Sequence, residues 1–468
     1  MSYRFALAAS LFAISAGGFA STCSAAKLGD VEHIIVIYLE NHSFDNLFGF
    51  FPGADGIATA GATKIQVDAD GKPYSLLPQV NETADKVDSR FPKDLPNQPF
   101  SIDAYVPIGA VTGDPIHRFF YQRAQIDGGR MDKFVAYTNM GALVMGFYDG
   151  SQTKLWEYAQ RYTLADHFFH AAFGGTFLNH FWMICACTPI YKDAPESLKA
   201  APDAAYDDAT NLVQLLRRPD KVTFDGYAVN TLQPFDPPHR DEPTVPLQEM
   251  KTIGDELSDK GVSWAWYGGG WDNAVAGRAS PIFQFHHHPF AYFRKYAEGS
   301  DGRRDHLKDA KDFIWALTEG QVPQVVFYKP SAELNEHPGY ANVLEGDEHL
   351  GRLLCKIEQS PIWSKSIVIV TFDENGGYWD HVPPPVIDRW GPGTRVPTVI
   401  ISPFAKKGFV DHTTYDSTAI LKLIETRFNL PALGDRDKKS KDLTNAFDFD
   451  GPPPEPVCKT LESGGVRN

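Results

Sequence analysis

Four residues with oxygen-bearing side chains, Glu40, Asn41, Asp373 and Glu374, follow directly on two apolar runs more than three hundred positions apart. The first run is Val31 to Leu39 (VEHIIVIYL). The second is Ser366 to Phe372 (SIVIVTF), which passes into Asp373-Glu374-Asn375-Gly376-Gly377. Strands of a parallel sheet deliver polar residues at their carboxyl ends, where ligand sites form. Carboxylates with an amide oxygen suit a hard or intermediate divalent cation. An acidic pair at one strand end is more often a cap or a solvated turn. Two such ends in one chain, with a Gly pair that lets the backbone turn tightly, favour the cation.

A second constellation is Gly174-Gly175-Thr176-Phe177-Leu178-Asn179-His180. It places the Thr176 hydroxyl at the start of an apolar helix, where a phosphate would meet backbone N–H groups and the positive end of the helix dipole. Contact with a cation would prepare that hydroxyl to attack phosphorus; the plainer role is an N-cap. Histidines form the third group: His286-His287-His288 before Pro289, His117 after Asp114-Pro115, and His337 in Asn335-Glu336-His337-Pro338-Gly339. Beside an anion they can donate to phosphate oxygens or to a leaving group. His33, His42, His349, His381 and His412 are read as structural or supporting residues.

These residues need a sheet to bring them together. The strand cores IIVIYL, IVIVTF and TVII are nearly continuous apolar runs, and they alternate with helical periodicity. That pattern predicts an α/β fold, a mostly parallel central sheet with helices on both faces and long loop excursions. Helices are predicted over Pro115–Gln125, Gln152–Arg161, Phe177–Ala186, Asn211–Arg218, Thr252–Lys260, Asp305–Thr318, Asp347–Glu358 and Tyr415–Phe428. Further strands are predicted over Val262–Tyr267, Pro323–Tyr328 and Val396–Ser402, with a capped turn at Ser43–Phe48. Residues 52–115 read as a long excursion, Thr188–Ala209 as a linker and the segment from Gly451 (GPPPEP) as a loose tail. The aromatic set Trp264, Trp266, Tyr267 and Trp271 either lines a pocket or fills the core.

The 468 residues are 43% hydrophobic and 22% charged, an ordinary globular composition with ample chain for a core. Arg4, the apolar stretch Phe5–Ala20 and Ser24-Ala25-Ala26 read as an export signal over residues 1–26, cleaved to leave a periplasmic or secreted chain. A catalytic domain over 27–450 and a tail over 451–468 would follow. No other segment reaches transmembrane length, so no stable membrane anchor is expected. The formal charge of −15 repels nucleic acid and anionic membranes, while small phosphorylated substrates remain compatible with a cationic centre. Cys185 and Cys187 lie too close to pair comfortably in a helix; with Cys355 and Cys458 they leave one disulfide, or free buried thiols, equally open. No Walker loop, GxGxxG or GxSxG is present, which disfavours nucleotide-fuelled and serine-hydrolase chemistry.

The runs HIIVIYLENHSFDNLFGFFPGADG, GGTFLNHFW, NEHPGY and TFDENGGYWDHVPPP resemble the bacterial phosphoesterase family of phospholipases C and secreted acid phosphatases, over roughly Glu32 to Phe449. The resemblance implies an alkaline phosphatase/sulfatase-like fold with one divalent metal ion (Ca, Mg, Mn, Zn or Fe) and a hydroxyl nucleophile. By position it implies Glu40, Asn41, Asp373 and Glu374 as metal ligands, Thr176 as nucleophile and further ligand, and His117, His287, His288 and His337 as active-site histidines. The segments DPIHRFFYQRAQIDGGRMDKFVAYT, MGFYDGS, LADHFFHAAFGG, ICAC and NEHPGYANVLEGD are similar to the acid phosphatase branch. That branch often carries Ser where this chain has Thr176, and phospholipase C members commonly carry Thr. The expectation is therefore an exported, metal-dependent acid phosphatase acting on phosphomonoesters through a phosphothreonine. A phospholipase C or other phosphodiesterase using the same site is the alternative, and a catalytically silent binding protein the second alternative.

Overall fold

The computed structural model describes residues 27–202, 211–235 and 242–458. The expected export signal lies outside the described residues, as do part of the Thr188–Ala209 linker and positions 459–468.

Eight strands form the central sheet: β1 (His33–Leu39), β2 (Thr163–Ala165), β3 (Trp264–Gly268), β4 (Leu307–Asp309), β5 (Val325–Lys329), β6 (Ser366–Phe372), β7 (Thr398–Ile401) and β8 (Phe409–Asp411). Their order is β8-β2-β7-β6-β1-β5-β3-β4, and only β7 runs against its neighbours. The sheet is thus mostly parallel, as the sequence predicts. β1 and β6 lie at its centre, buried on both faces, which is why their sequences are apolar without alternation. One helical layer holds Lys154–Arg161, Ala310–Glu319 and Val343–Glu358; the other holds Thr176–Cys185, Ile253–Asp259 and Thr418–Phe428.

Several boundaries differ from the sequence reading. The helix expected over Asp305–Thr318 is interrupted: a turn of helix at Asp301–His306 gives way to β4, and helix restarts at Ala310 behind an Asp309/Asp312 capping box. The helix expected from Asp347 begins at Val343, because Asn342 accepts the Glu345 N–H as its cap. The one expected from Pro115 begins at Phe119, and the one from Tyr415 at Thr418, after Tyr415–Asp416 pairs with Phe168–Phe169. The excursion over 52–115 is largely irregular, with two turns of 3-10 helix and a few short strands.

Both cysteine pairs are disulfides. Helix Thr176–Cys185 ends at Ala186 in a left-handed conformation (φ 46°), so Cys185 and Cys187 are not both helical and their Cα atoms come within 5.1 Å. Cys355 pairs with Cys458. The tail from Gly451 is therefore tied back as far as Cys458, where Glu358 also accepts the backbone N–H groups of Val457 and Cys458. Trp264, Trp266, Tyr267 and Trp271 are all buried and fill the core.

Candidate active site

Leu39 of β1 pairs with Phe372 of β6, so Glu40 and Asp373 leave the sheet side by side. Asn41 then takes a left-handed conformation (φ 71°), and its backbone N–H donates to Asp373 Oδ1 at 3.3 Å. A non-glycine residue held there is local strain of the kind found at functional sites. Gly376, itself at φ 61°, packs so closely on the Asn41 carbonyl that no side chain fits. Asp373 Oδ1 also accepts from the Glu374 N–H (2.8 Å), and Glu374 Oε2 from the Gly376 N–H (2.6 Å). Thr176 heads its helix behind Gly175, where a Cβ would strike the His117 carbonyl. All five of these side chains are buried.

The inward atom of the Asn41 amide lies 2.9 Å from Glu374 Oε1, 3.0 Å from Asp373 Oδ1 and 3.3 Å from Thr176 Oγ1; the outward atom lies 2.8 Å from His337 Nε2. His337 Nδ1 faces the Pro338 carbonyl at 2.5 Å and must carry the proton there. In a neutral imidazole Nε2 is then an acceptor, so the Asn41 NH2 points outward and its oxygen inward, against three other oxygens. The reverse orientation would hydrogen-bond all three, but only beside a His337 protonated on both nitrogens. The buried Asp373 Oδ2 accepts no hydrogen bond, and Glu40 Oε1 faces only Lys329 Nζ and His287 Nε2.

The electrostatics carry the same crowding. Burial, then the Asp373 charge, pushes the Glu374 carboxyl well above its ordinary range. Burial lifts Asp373 to about 7 against the pull of Lys329. Burial would also raise Glu40, but His287 and Lys329 beside it hold it well below the usual carboxylate range.

The histidines separate into two sets. His117 commits Nδ1 to the Pro115 carbonyl (2.6 Å) and turns Nε2 toward Glu374 Oε1, 3.7 Å away. His337 Nε2 stands 3.7 Å from Glu40 Oε2, its ring stacked on Tyr340 and 5.7 Å from that of His117. His287 sets Nε2 against Glu40 Oε1. His288 is not brought to this cluster: it stacks on Trp271 at 4.0 Å and fills the space above Gly268. His286 does reach the cavity of about 640 Å³ that opens over Thr176, His117 and His337. Asp114, His117 and His337 also form a group of metal-ligating type at the cavity wall.

Sequence reasoning missed Lys329, Tyr340 and His180. Lys329 Nζ lies 2.9 Å from Glu40 Oε1, Tyr340 donates to Glu40 Oε2 at 3.3 Å, and His180 Nδ1 meets the Thr176 carbonyl at 2.9 Å. The strand-end rule that finds Glu40 and Asp373 would also have found Lys329 had β5 been read one residue further.

The Phosphoesterase family model matches residues 31–431. The chain belongs to the Phosphoesterase family. Phospholipase C A of Mycobacterium tuberculosis is 25% identical over 471 residues, covering 91% of this chain and 79% of that protein. Non-hemolytic phospholipase C of Pseudomonas aeruginosa is 24% identical over 483 residues, covering 92% of this phosphoesterase but 59% of its relative. Among solved structures, a protein in the alkaline phosphatase superfamily from Vibrio parahaemolyticus aligns with a TM-score of 0.36 at 11% identity, over 83% of this chain and 77% of that one, too distant to add to the fold seen directly. Family membership makes the chemistry phosphoester hydrolysis. Among the described residues, no helix is long and apolar enough to cross a membrane.

Proposed function

We propose that this phosphoesterase is an exported, metal-dependent acid phosphatase that hydrolyses phosphomonoesters through a phosphothreonine at Thr176. The observation that carries it is the meeting of Thr176 Oγ1, the Asn41 amide and the Asp373 and Glu374 carboxylates within 2.9–3.3 Å. Spacings of about 3 Å are those of oxygens sharing a small divalent cation. With Asp373 Oδ2 left without a hydrogen bond, the donor set fits such an ion. Glu40, Asn41, Asp373, Glu374 and Thr176 would hold it. When bound, the ion would offset the carboxylates, polarise a phosphoryl oxygen and favour the alkoxide of a hydroxyl in contact with it.

The protein's own groups do the rest. Thr176 Oγ1 attacks phosphorus in line, forming the Thr–O–P bond as the ester P–O bond breaks. The backbone N–H groups at the head of the Thr176 helix receive phosphoryl oxygens. His117 and His337 both hold Nδ1–H against a carbonyl, which leaves Nε2 an acceptor, so one of them takes up the Thr176 proton at Nε2 and passes it to the departing alkoxide. Water then attacks the phosphothreonine, with the same imidazoles accepting its proton.

The phospholipase C relatives favour a diester, and the site would serve one equally well. Lys221 on the cavity wall, beside an Arg118 that Asp220 holds at 3.1 Å, favours a dianionic monoester over a cationic choline headgroup. Turnover of p-nitrophenyl phosphate and of p-nitrophenyl phosphorylcholine, with and without chelator and beside Thr176→Ala, tests this reading. Preference for the choline diester defeats the phosphatase assignment; turnover that survives chelation or Thr176→Ala defeats the site.

A further inference from the structure

Resting on the metal reading above, we propose that Lys329 is a fixed counter-cation, a positioning residue that restricts the carboxylate cluster to one divalent ion. Lys329 closes β5 one step beyond the Ile37–Tyr328 pair, which sets it beside the end of β1. It is fully buried. Its ammonium stands 2.9 Å from Glu40 Oε1, donates to the Leu39 carbonyl at 3.3 Å and lies 5.4 Å over the Tyr38 ring. A lysine removed from water this completely is held only where charge and hydrogen bonds compensate it.

The direct ion pair of Lys329 is with Glu40. Ionised Glu40, Asp373 and Glu374 carry three negative charges; a divalent ion leaves one, and Lys329 supplies its counter-charge. A second divalent ion would meet a centre already neutral, with a fixed ammonium beside the carboxylate it needs. Lys329 also draws Glu40 toward β5, while Asp373 Oδ1 and Glu374 Oε1 face the Asn41 amide and Thr176. The fixed charge therefore opposes the ion while it holds Glu40 in place for phosphoryl transfer, and its removal should move metal affinity and turnover in opposite directions.

Calorimetric titration of the metal-stripped mature protein with Mn²⁺, with bound metal counted after dialysis, tests this. Wild type should bind one ion. Lys329→Met should bind Mn²⁺ about tenfold more tightly or more, while kcat/KM for p-nitrophenyl phosphate falls about a hundredfold. A merely structural lysine would weaken both together. Should Lys329→Met fail to fold, Glu40→Gln and Glu40→Gln/Lys329→Met form a second pair, in which the double variant should be the tighter binder. Equal or weaker Mn²⁺ affinity on loss of Lys329 overturns the inference while leaving the metal site standing. Wild type that binds no Mn²⁺ defeats the metal reading, and the counter-cation with it.

Discussion

Arg395 is fully buried, and its replacement by Met should be among the most damaging single changes outside the proposed metal site. Its guanidinium grips Asp380 with two nitrogens (2.8 and 3.1 Å), reaches Asp45 at 3.1 Å, and donates to the backbone carbonyls of Asp55 (2.7 Å) and Asp166 (2.9 Å). Four chain segments thus converge on one side chain. Removing the charged partner of a buried pair costs about 3–5 kcal/mol, and two carbonyls stripped of donors add about 1 kcal/mol each. The expected loss is therefore about 6 kcal/mol. With an unfolding entropy of about 0.9 kcal/mol/K for a chain of this size, Tm should fall by about 6–7 °C. Circular dichroism melts of wild type, Arg395→Met, Arg395→Lys and Arg395→Met/Asp380→Asn provide the assay. Lys keeps the charge but loses the two-pronged grip and should fall between. The double variant, with one orphaned charge removed, should recover part of the loss. A Tm for Arg395→Met within 2 °C of wild type would refute the claim that this knot bears load.

Three further outcomes follow from particular contacts. Thr176→Ser should keep kcat for p-nitrophenyl phosphate within about tenfold while Thr176→Ala loses about a thousandfold or more, and acid-quenched mass spectrometry should find the phosphoryl group on residue 176. Burial, then the neighbouring Asp437, pushes Glu425 up to about 8 from 4.5. The folded state holds this proton more tightly, so the stability it contributes is whole below pH 4.5 and lost as pH rises to about 8. Glu425→Gln should gain on wild type by at most about 5 kcal/mol across that window, and a gap in denaturant midpoint that does not widen with pH would contradict it. Cys458→Ser opens a disulfide closing a 103-residue separation and should lower stability by about 2–4 kcal/mol in chemical denaturation.

What was legible in the sequence were features that one segment declares by itself. β1 and β6 are long and fully buried, so their apolar runs stand out, and the polar residues at their ends mark the edge where a parallel sheet places a site. Gly174-Gly175-Thr176 likewise declares a helix start locally. β2, β4 and β8 have three residues each, too few for any periodicity, and they exist because neighbours supply their partners. Arg395 sits between Thr394 and Val396 in no pattern at all; its role depends on four segments gathered from across the chain. The Cys185–Cys187 pair was misjudged because its premise, a helix running through both, fails at the left-handed Ala186. Within the histidine triplet, chain order could not tell that residue 287 faces Glu40, 286 the cavity and 288 the core.

The same contacts show what holds the carboxylates of the proposed metal site together. Glu40, Asp373 and Glu374 repel one another, and burial strengthens the repulsion. Their own strands carry the remedy a little further on: the turn after β1 reaches Asp45, and the turn after β6 reaches Asp380 and His381. Arg395 binds both aspartates, while His381 Nδ1 donates to Asp45 at 2.6 Å and lies 3.2 Å from the guanidinium. The two turns are thus clamped by attractive pairs just behind the point where their like charges meet, so the cluster need not hold itself together. If this division of labour is right, Arg395→Lys should weaken divalent-ion binding although Arg395 touches none of the proposed ligands. It should do so about tenfold in Mn²⁺ titration, in contrast to the tighter binding expected when Lys329 is removed. Loss of affinity in one variant and gain in the other would separate a residue that positions the carboxylates from one that competes with the ion. Unchanged affinity in Arg395→Lys would mean that the strands alone hold the cluster.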